Sequence, residues 1–187
     1  MTKQNCRKLM KAWLSSLDKE SYTKLSESLS DNLNFFLNDL HVIQEKKMIG
    51  AFAPLSDEPL WNLKLSLEIQ NLLAFPFFNE GQKVMAFKAS TLSDLELRSD
   101  FGVPILSPKK EALEVVPKVL LIPGLAFDRE GRRLGRGRGF YDKFLGDFRG
   151  IKIGICFDGQ LIEQVPSEVH DMKVDLVITN KELIKIK

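Results

Sequence analysis

LLIPGLAFDREGRRLGRGRGFYD, residues 120–142, changes character twice. Its apolar start, within VLLIPGLAF (119–127), reads as a buried strand running out into a loop. FYDKFL (140–145) then opens a helix. Between them glycine recurs at Gly135, Gly137 and Gly139, with Arg136 and Arg138 filling the gaps. A strand, a glycine-rich turn and a helix in that order are one unit of an α/β sheet. In such sheets ligands bind beyond the C-terminal ends of the strands.

The neighbouring segments fit the same architecture. Cys6, Leu9, Met10, Trp13, Leu14 and Leu17 follow the rhythm of one helical face. Ser21 is placed to cap a second helix carrying Tyr22, Leu25, Leu29, Leu33, Phe36, Leu37 and Leu40. MIGAFAPL (48–55), LLAFPFF (72–78), VMAFK (84–88), IKIGICF (151–157) and VDLVIT (174–179) read as strands, the last closing the sheet. DEPLW (57–61) restarts a helix, with Asp57 as N-cap and Pro59 in the first turn. Ser93 to Pro117 is polar and carries Pro104, Pro108 and Pro117, which predicts a long surface excursion. Near-continuous apolar strands alternating with helices imply α/β, with a mainly parallel sheet covered on both faces. A length of 187 residues, without a linker or repeat, suits a single domain spanning 1–187.

Composition narrows the function. With a net charge of only +2, attraction of the whole molecule to nucleic acid or a membrane surface is weak. The charge is local instead, because Arg129, Arg132, Arg133, Arg136 and Arg138 fall within ten positions. Cys6 and Cys156 stand far apart with no CxxC, which argues against structural zinc and for a reducing cytoplasm. The basic N-terminus lacks the continuous apolar stretch of a signal peptide, and a helix of the mature fold is preferred over a transit segment. No run approaches the ~18 apolar residues of a membrane span. A monomer is expected.

Glycines let a backbone approach a ligand closely and adopt positive φ. Successive free N–H groups then form a concave anion nest, and the helix from Phe140 turns its positive end to the same place. Arg136 and Arg138 add forked donors matched to phosphate oxygens. Asp142, on the first helical turn, offers a hard oxygen to magnesium. The spacing is neither the dinucleotide G-x-G-x-x-G nor a P-loop. Two other readings stay open: a solvated arginine loop that needs glycine only to turn, and an RG-type grip on single-stranded RNA.

PGLAFDREGRRLGRGRGFYDKFL (123–145) resembles the signature of the 5-formyltetrahydrofolate cyclo-ligase family, P-G-x-x-F-D-x-x-G-x-R-L-G-x-G-x-G-Y-Y-D, departing at Phe140. QLIEQVPSEVHDMKVDLVIT (160–179) is similar to the family's C-terminal block, and Lys3 and Arg7 reproduce its opening Lys-x-x-x-Arg. Ser107-Pro108 stands where members often have Glu-Pro. The resemblance implies a three-layer α/β/α sandwich. It also implies closure of 5-formyltetrahydrofolate to 5,10-methenyltetrahydrofolate with ATP and magnesium, through an iminium phosphate made by phosphorylating the formyl oxygen.

Site residues follow from the resemblance. Lys3, Arg7 and the stretch Arg133, Leu134, Gly135, Arg136, Gly137, Arg138, Gly139, Phe140 and Tyr141 would hold ATP. Arg136 and Tyr141 are the catalytic candidates. Ala53, Glu58, Arg136 and Phe140 would meet the folate, the Glu58 carboxylate accepting pterin N–H donors. Asp142 and Asp171 would hold Mg2+, with His170 as a neighbour that orients. Each aspartate also has an ordinary alternative, Asp142 as a helix cap and Asp171 as partner of a lysine. Trp61, Phe75, Met85 and Phe87 either line the folate slot or pack in the core.

Overall fold

The computed structural model describes the chain except residues 41, 79–84, 101–102, 138 and 170, and except the side chains at 99, 100 and 103. Arg138, His170 and the first residue of the run at 84–88 therefore lie outside the described residues. From the N-terminus come helices α1 (Lys3–Ser16) and α2 (Lys19–Asp39), strand β1 (Ile49–Gly50) and the short helix α3 (Leu67–Gln70). Next are β2 (Leu73–Phe78), β3 (Met85–Ala89), β4 (Glu96–Asp100), β5 (Val103–Ser107) and β6 (Glu114–Val115). Strands β7 (Val119–Pro123), β8 (Ala126–Phe127) and β9 (Arg133–Leu134) precede α4 (Phe140–Asp147). Strands β10 (Ile151–Ile155), β11 (Leu176–Ile178) and β12 (Leu183–Lys185) complete the order.

The main sheet runs β12-β11-β10-β7-β1-β2-β3-β6. Its five central strands, β11 to β2, are parallel, and antiparallel strands close both edges. Alternate side chains of β7 feed two cores: Val119 and Leu121 on one face, Leu120 and Ile122 on the other. The first face is covered by α1, α2 and the 42–69 segment. The second is covered by α4 and its surroundings, through Leu145, Phe148 and Phe127. This is the α/β/α sandwich expected, with an unequal helical cover. Among the described residues no helix is long and apolar enough to cross a membrane.

Order in the sheet also locates a crevice. Strand β1 lies between β2 and β7, so the chain leaves it toward one edge and later builds toward the other through β7, β10 and β11. That reversal is the topological switch point where α/β sheets place ligands. Past β1 one more ladder bond forms, Ala51 N–H to the Ala74 carbonyl at 2.8 Å, and Phe52 to Leu55 then leave the sheet to border a cavity. The strand expected over 48–55 is short for this reason.

Several local expectations are corrected. The N-cap of α2 is Asp18, whose Oδ1 accepts the Ser21 N–H at 2.7 Å, so Ser21 sits inside the first turn. No helix starts at Asp57. The backbone of this segment donates to α2 instead: Leu60 N–H to Ser26 Oγ, Lys64 N–H to Ser30 Oγ and Ser66 N–H to Asn34 Oδ1. Three polar side chains spaced one helical turn apart thus satisfy amides that would otherwise need a helix of their own. The excursion over 93–117 contains the β4–β5 hairpin, anchored at its base by Ser107 Oγ donating to the Pro76 carbonyl at 3.2 Å. The 174–179 strand is not the last, because β12 pairs antiparallel with β11.

Phe127 is fully buried, in a slot cut by glycine. A Cβ on Gly154 would meet its ring at 2.4 Å, and one on Gly124 at 2.7 Å. Gly154→Ala is predicted to cost about 1–3 kcal/mol in urea unfolding through overpacking. Adding Phe127→Leu should recover part of that loss. A G154A protein as stable as the parent would contradict the slot.

Candidate active site

The cavity at the switch point has a volume of about 680 Å³. Strand β7 ends at Pro123, and the loop that follows is pinned by the fully buried Asp128. Asp128 Oδ1 accepts the Glu130 and Arg132 N–H groups, both at 3.0 Å. Its Oδ2 accepts the Val165 N–H at 2.9 Å and Arg132 Nη1–H at 2.9 Å. Strands β8 and β9 then pair, returning the chain to the cavity at Arg133 and Leu134.

Glycine serves two purposes here. Gly137 and Gly139 have φ of 97° and 70°, a left-handed region that disfavours side chains. At Gly135 the need is space, since a Cβ would lie 2.9 Å from the Arg133 guanidinium. Gly139 begins α4 without a side-chain cap, so the helix presents its N-terminal amides bare of a capping oxygen, with Asp142 in the first turn. The expected strand, nest-like turn and helix are all present.

The cationic residues converge on this cavity. Lys3 and Arg7, on α1, border it together with Arg133 and Arg136. Arg7 Nε–H donates to the Gly135 carbonyl at 2.9 Å, tying α1 to the loop. Lys3, Arg133 and Arg136 each have a carboxylate. Lys3 Nζ lies 2.7 Å from Asp171 and 3.1 Å from Glu168. Arg133, buried, donates from Nη2 to Asp142 at 2.7 Å and from Nη1 to the Pro123 carbonyl at 3.2 Å. Its Nε is a buried donor with no protein partner. Arg136 donates from Nε to Glu58 at 2.9 Å, and from Nη1 and Nη2 to the two Asp57 oxygens at 3.0 and 2.6 Å. Arg129 and Arg132 likewise pair with Glu182 and with Asp128 and Glu130. The four described arginines of the cluster are therefore each paired with carboxylates, which disfavours the reading as an open RNA grip.

Asp142 and Asp171 face the same cavity, each held by a cation. Asp171 does pair with a lysine, whereas Asp142 sits in the first turn of α4 without capping it and accepts from Arg133 instead. Among the described residues no three His, Cys, Asp or Glu side chains gather as a metal cluster. A cation held here would take two protein carboxylates and complete its shell elsewhere, a habit of magnesium bound beside phosphates.

The other half of the cavity is apolar. Phe52, Ala53, Pro54, Leu55, Phe78 and Met85 border it, as do Leu97 and Pro104 to Leu106 of the β4–β5 hairpin. The hairpin's part was invisible in the sequence because its spacing is polar and proline-broken. Phe140 packs on Phe78 with ring centroids 5.2 Å apart, so it retains an aromatic wall without a hydroxyl. Of the aromatic alternatives, Trp61, Phe75 and Phe87 are core residues, and Met85 alone of the four reaches the cavity. The Leu134 side chain is also buried in the core, leaving its backbone to the site.

Glu58 is 6% exposed at the floor of this half. Its Oε2 accepts the Leu55 N–H at 3.1 Å, and Tyr22 Oη–H donates to its carbonyl, fixing the segment. Burial pushes its carboxyl above the usual range, while the Leu55 amide and Arg136 hold it down. For Tyr141, desolvation reinforced by the Glu58 charge, against Arg133, pushes the phenol well up and keeps it a proton donor. Asp57, the bidentate partner of Arg136, was read from sequence only as a helix cap. Its signal was the acidic pair Asp57-Glu58 facing a lone arginine, which sequence distance hid.

Because the folded-state value of Glu58 is raised, its contribution to stability is complete below the ordinary carboxylate range and is lost as pH rises through the folded value. Arg136 limits that loss. Arg136→Met is predicted to lift Glu58 further. Its stability deficit in urea should then be about 1–3 kcal/mol larger at about pH 8 than at about pH 4. An equal deficit at both would contradict the pairing.

Comparison with known proteins gives the chain a family and a fold. The model of the 5-formyltetrahydrofolate cyclo-ligase family matches residues 1–180. A 5-formyltetrahydrofolate cyclo-ligase of Mus musculus is 39% identical over 66 residues, 32% of each chain. The chain thus aligns with about a third of the length of the first curated relatives it matches. A probable 5-formyltetrahydrofolate cyclo-ligase of Caenorhabditis elegans is 26% identical over 97% of this chain and 94% of its own. The solved 5,10-methenyltetrahydrofolate synthetase of Aquifex aeolicus superposes with a TM-score of 0.78, at 26% identity, over 100% of this chain and 94% of that one. Because the family model spans nearly the whole chain, the chain belongs to the 5-formyltetrahydrofolate cyclo-ligase family.

Proposed function

We propose that the protein closes 5-formyltetrahydrofolate to 5,10-methenyltetrahydrofolate at the expense of ATP, with Mg2+, releasing ADP and phosphate. One observation carries the reading. Arg136 belongs by its backbone to the glycine loop and by its guanidinium to Glu58, so a cationic half and an apolar half meet at one residue. A substrate that must bring a phosphoryl group to a formyl oxygen needs such a junction.

The residues fit the nucleotide. The unpartnered Arg133 Nε and the uncapped start of α4 are donors suited to phosphate oxygens, and Asp142 and Asp171 supply hard oxygens for the cation. In this reading Lys3, Arg7, Arg133 and the backbone over 133–141 bind the triphosphate. Asp142 and Asp171 would hold magnesium, which when bound would neutralise phosphate charge. Arg138 belongs to the same stretch by sequence alone. Glu58 and Ala53 orient the pterin, with Phe140 as an aromatic wall.

The chemistry asks little covalent help. A formamide is a poor electrophile and its oxygen a poor leaving group. Phosphorylation of that oxygen gives an iminium phosphate. N10 of the folate then attacks the same carbon, a C–N bond forms, phosphate leaves with the former formyl oxygen, and the N10 proton is lost. Positioning and charge neutralisation are what the protein contributes. In this reading Arg136 and the protonated Tyr141, both bordering the cavity, would face the charge that develops. The two buried cysteines suit a cytoplasmic enzyme.

Protein, ATP and magnesium together should convert 5-formyltetrahydrofolate into a product with the near-ultraviolet band of the methenyl compound. Without ATP the band should not grow, and Arg136→Ala should lower kcat by about 100-fold or more. No product above the enzyme-free control would overturn the proposal.

A further inference from the structure

Three sets of ion pairs ring the cavity, and one differs from the other two. In the Lys3–Asp171 and Arg133–Asp142 pairs, both members border the cavity. If Mg·ATP enters, each cation can pass to phosphate while its lining carboxylate passes to the metal, and Glu168, the second partner of Lys3, is 58% exposed and open to water. Arg136 borders the cavity too, but Asp57 is not among the lining residues and its side chain is 34% exposed. Asp57 takes both terminal nitrogens of Arg136, at 3.0 and 2.6 Å, in the planar forked geometry that matches a carboxylate best. A phosphate needs that same fork. Among the described residues Asp57 has no ion pair besides the one with Arg136.

We infer that Asp57 is a specificity-determining counter-anion: it holds Arg136 in the free protein and competes with phosphate for the guanidinium. This rests on the proposed contact between Arg136 and the phosphates. The consequence is a graded barrier against bare anions. Inorganic phosphate or a lone nucleotide meets an arginine already engaged on two sides, by Asp57 and by Glu58. When the N–H donors of a pterin-like ring satisfy Glu58, one of the two holds is relieved, and the fork is easier to turn. Asp57 thus makes the anionic half of the site respond to occupancy of the other half, with a reciprocal effect on each ligand.

The sign of one substitution separates this role from simple scaffolding. If Asp57 only positioned Arg136, removing its charge would weaken anion binding. As a competitor, its loss tightens binding. The test is calorimetric titration of the full-length protein with magnesium and the β,γ-imido analogue of ATP, which cannot transfer its phosphoryl group. Asp57→Asn is expected to bind about three- to fivefold more tightly than the parent, the scale of a part-exposed ion pair. Asp57→Glu, which keeps the charge, is expected to stay close to the parent. Arg136→Met should weaken binding, and in that background Asp57→Asn should no longer tighten it. Thermal melting confirms that each variant is folded.

If Asp57→Asn binds as the parent does or more weakly, while Arg136→Met still weakens binding, the competitor role falls and the phosphate contact of Arg136 stands. Tightening that persists undiminished beside Arg136→Met would also overturn it, by showing a general field effect. If Arg136→Met leaves affinity unchanged, the phosphate contact falls and the inference falls with it.

Discussion

A buried carboxylate organises this molecule. Asp128 has no exposure to solvent, yet it carries a charge that the interior tolerates only when hydrogen bonds replace water. Four donors do so: the Glu130, Arg132 and Val165 amides and the Arg132 guanidinium. They come from the turn between β8 and β9 and from the segment that follows β10. With Phe127 seated beside Gly124 and Gly154, they fix where the chain re-enters the cavity at Arg133. Every feature of the site that depends on the glycine loop depends first on this anchor. Without it, the positive φ at Gly137 and Gly139 would be freedom rather than shape.

The site itself is a store of paired charge. Lys3, Arg133 and Arg136 each rest on carboxylates at or next to the cavity. This solves a folding problem, because several like charges gathered around one void would repel and destabilise the compact state. It also prepares binding. A charged ligand with its own cation can exchange partners with the pairs and need not strip solvated side chains of water. Glu58 shows the cost of the design. It sits where burial works against its charge, held ionisable by Arg136 and the Leu55 amide, in the half of the cavity that the family's folate would use.

Much of this was legible in the residues, for identifiable reasons. Strands β7, β10 and β11 are continuous apolar runs because both faces of the sheet are covered, and β7 runs straight into the glycine loop. Lys3 and Arg7 were placed together by helical spacing, and both border the cavity, Arg7 meeting the loop through the Gly135 carbonyl and Lys3 pairing with Asp171. What stayed hidden was tertiary. The segment after Asp57 has helix-start chemistry, but Ser26, Ser30 and Asn34 of α2 capture its amides first. Asp18 outcompeted Ser21 as a cap by one turn of chain. The β4–β5 hairpin reads as polar and proline-rich because one side faces solvent, while Leu97 and Leu106 turn to the cavity. Asp57 could be valued only once Arg136 was seen to lie against it across the fold.

A crystal structure of the protein with magnesium and a non-transferable ATP analogue tests the central claim most directly. The account requires phosphate oxygens within hydrogen-bonding distance of Arg133 and of the backbone over 133–141. Asp142 and Asp171 should have given up Arg133 and Lys3 for the metal. A nucleotide bound elsewhere, with the Arg133–Asp142 and Lys3–Asp171 pairs still closed, would contradict it.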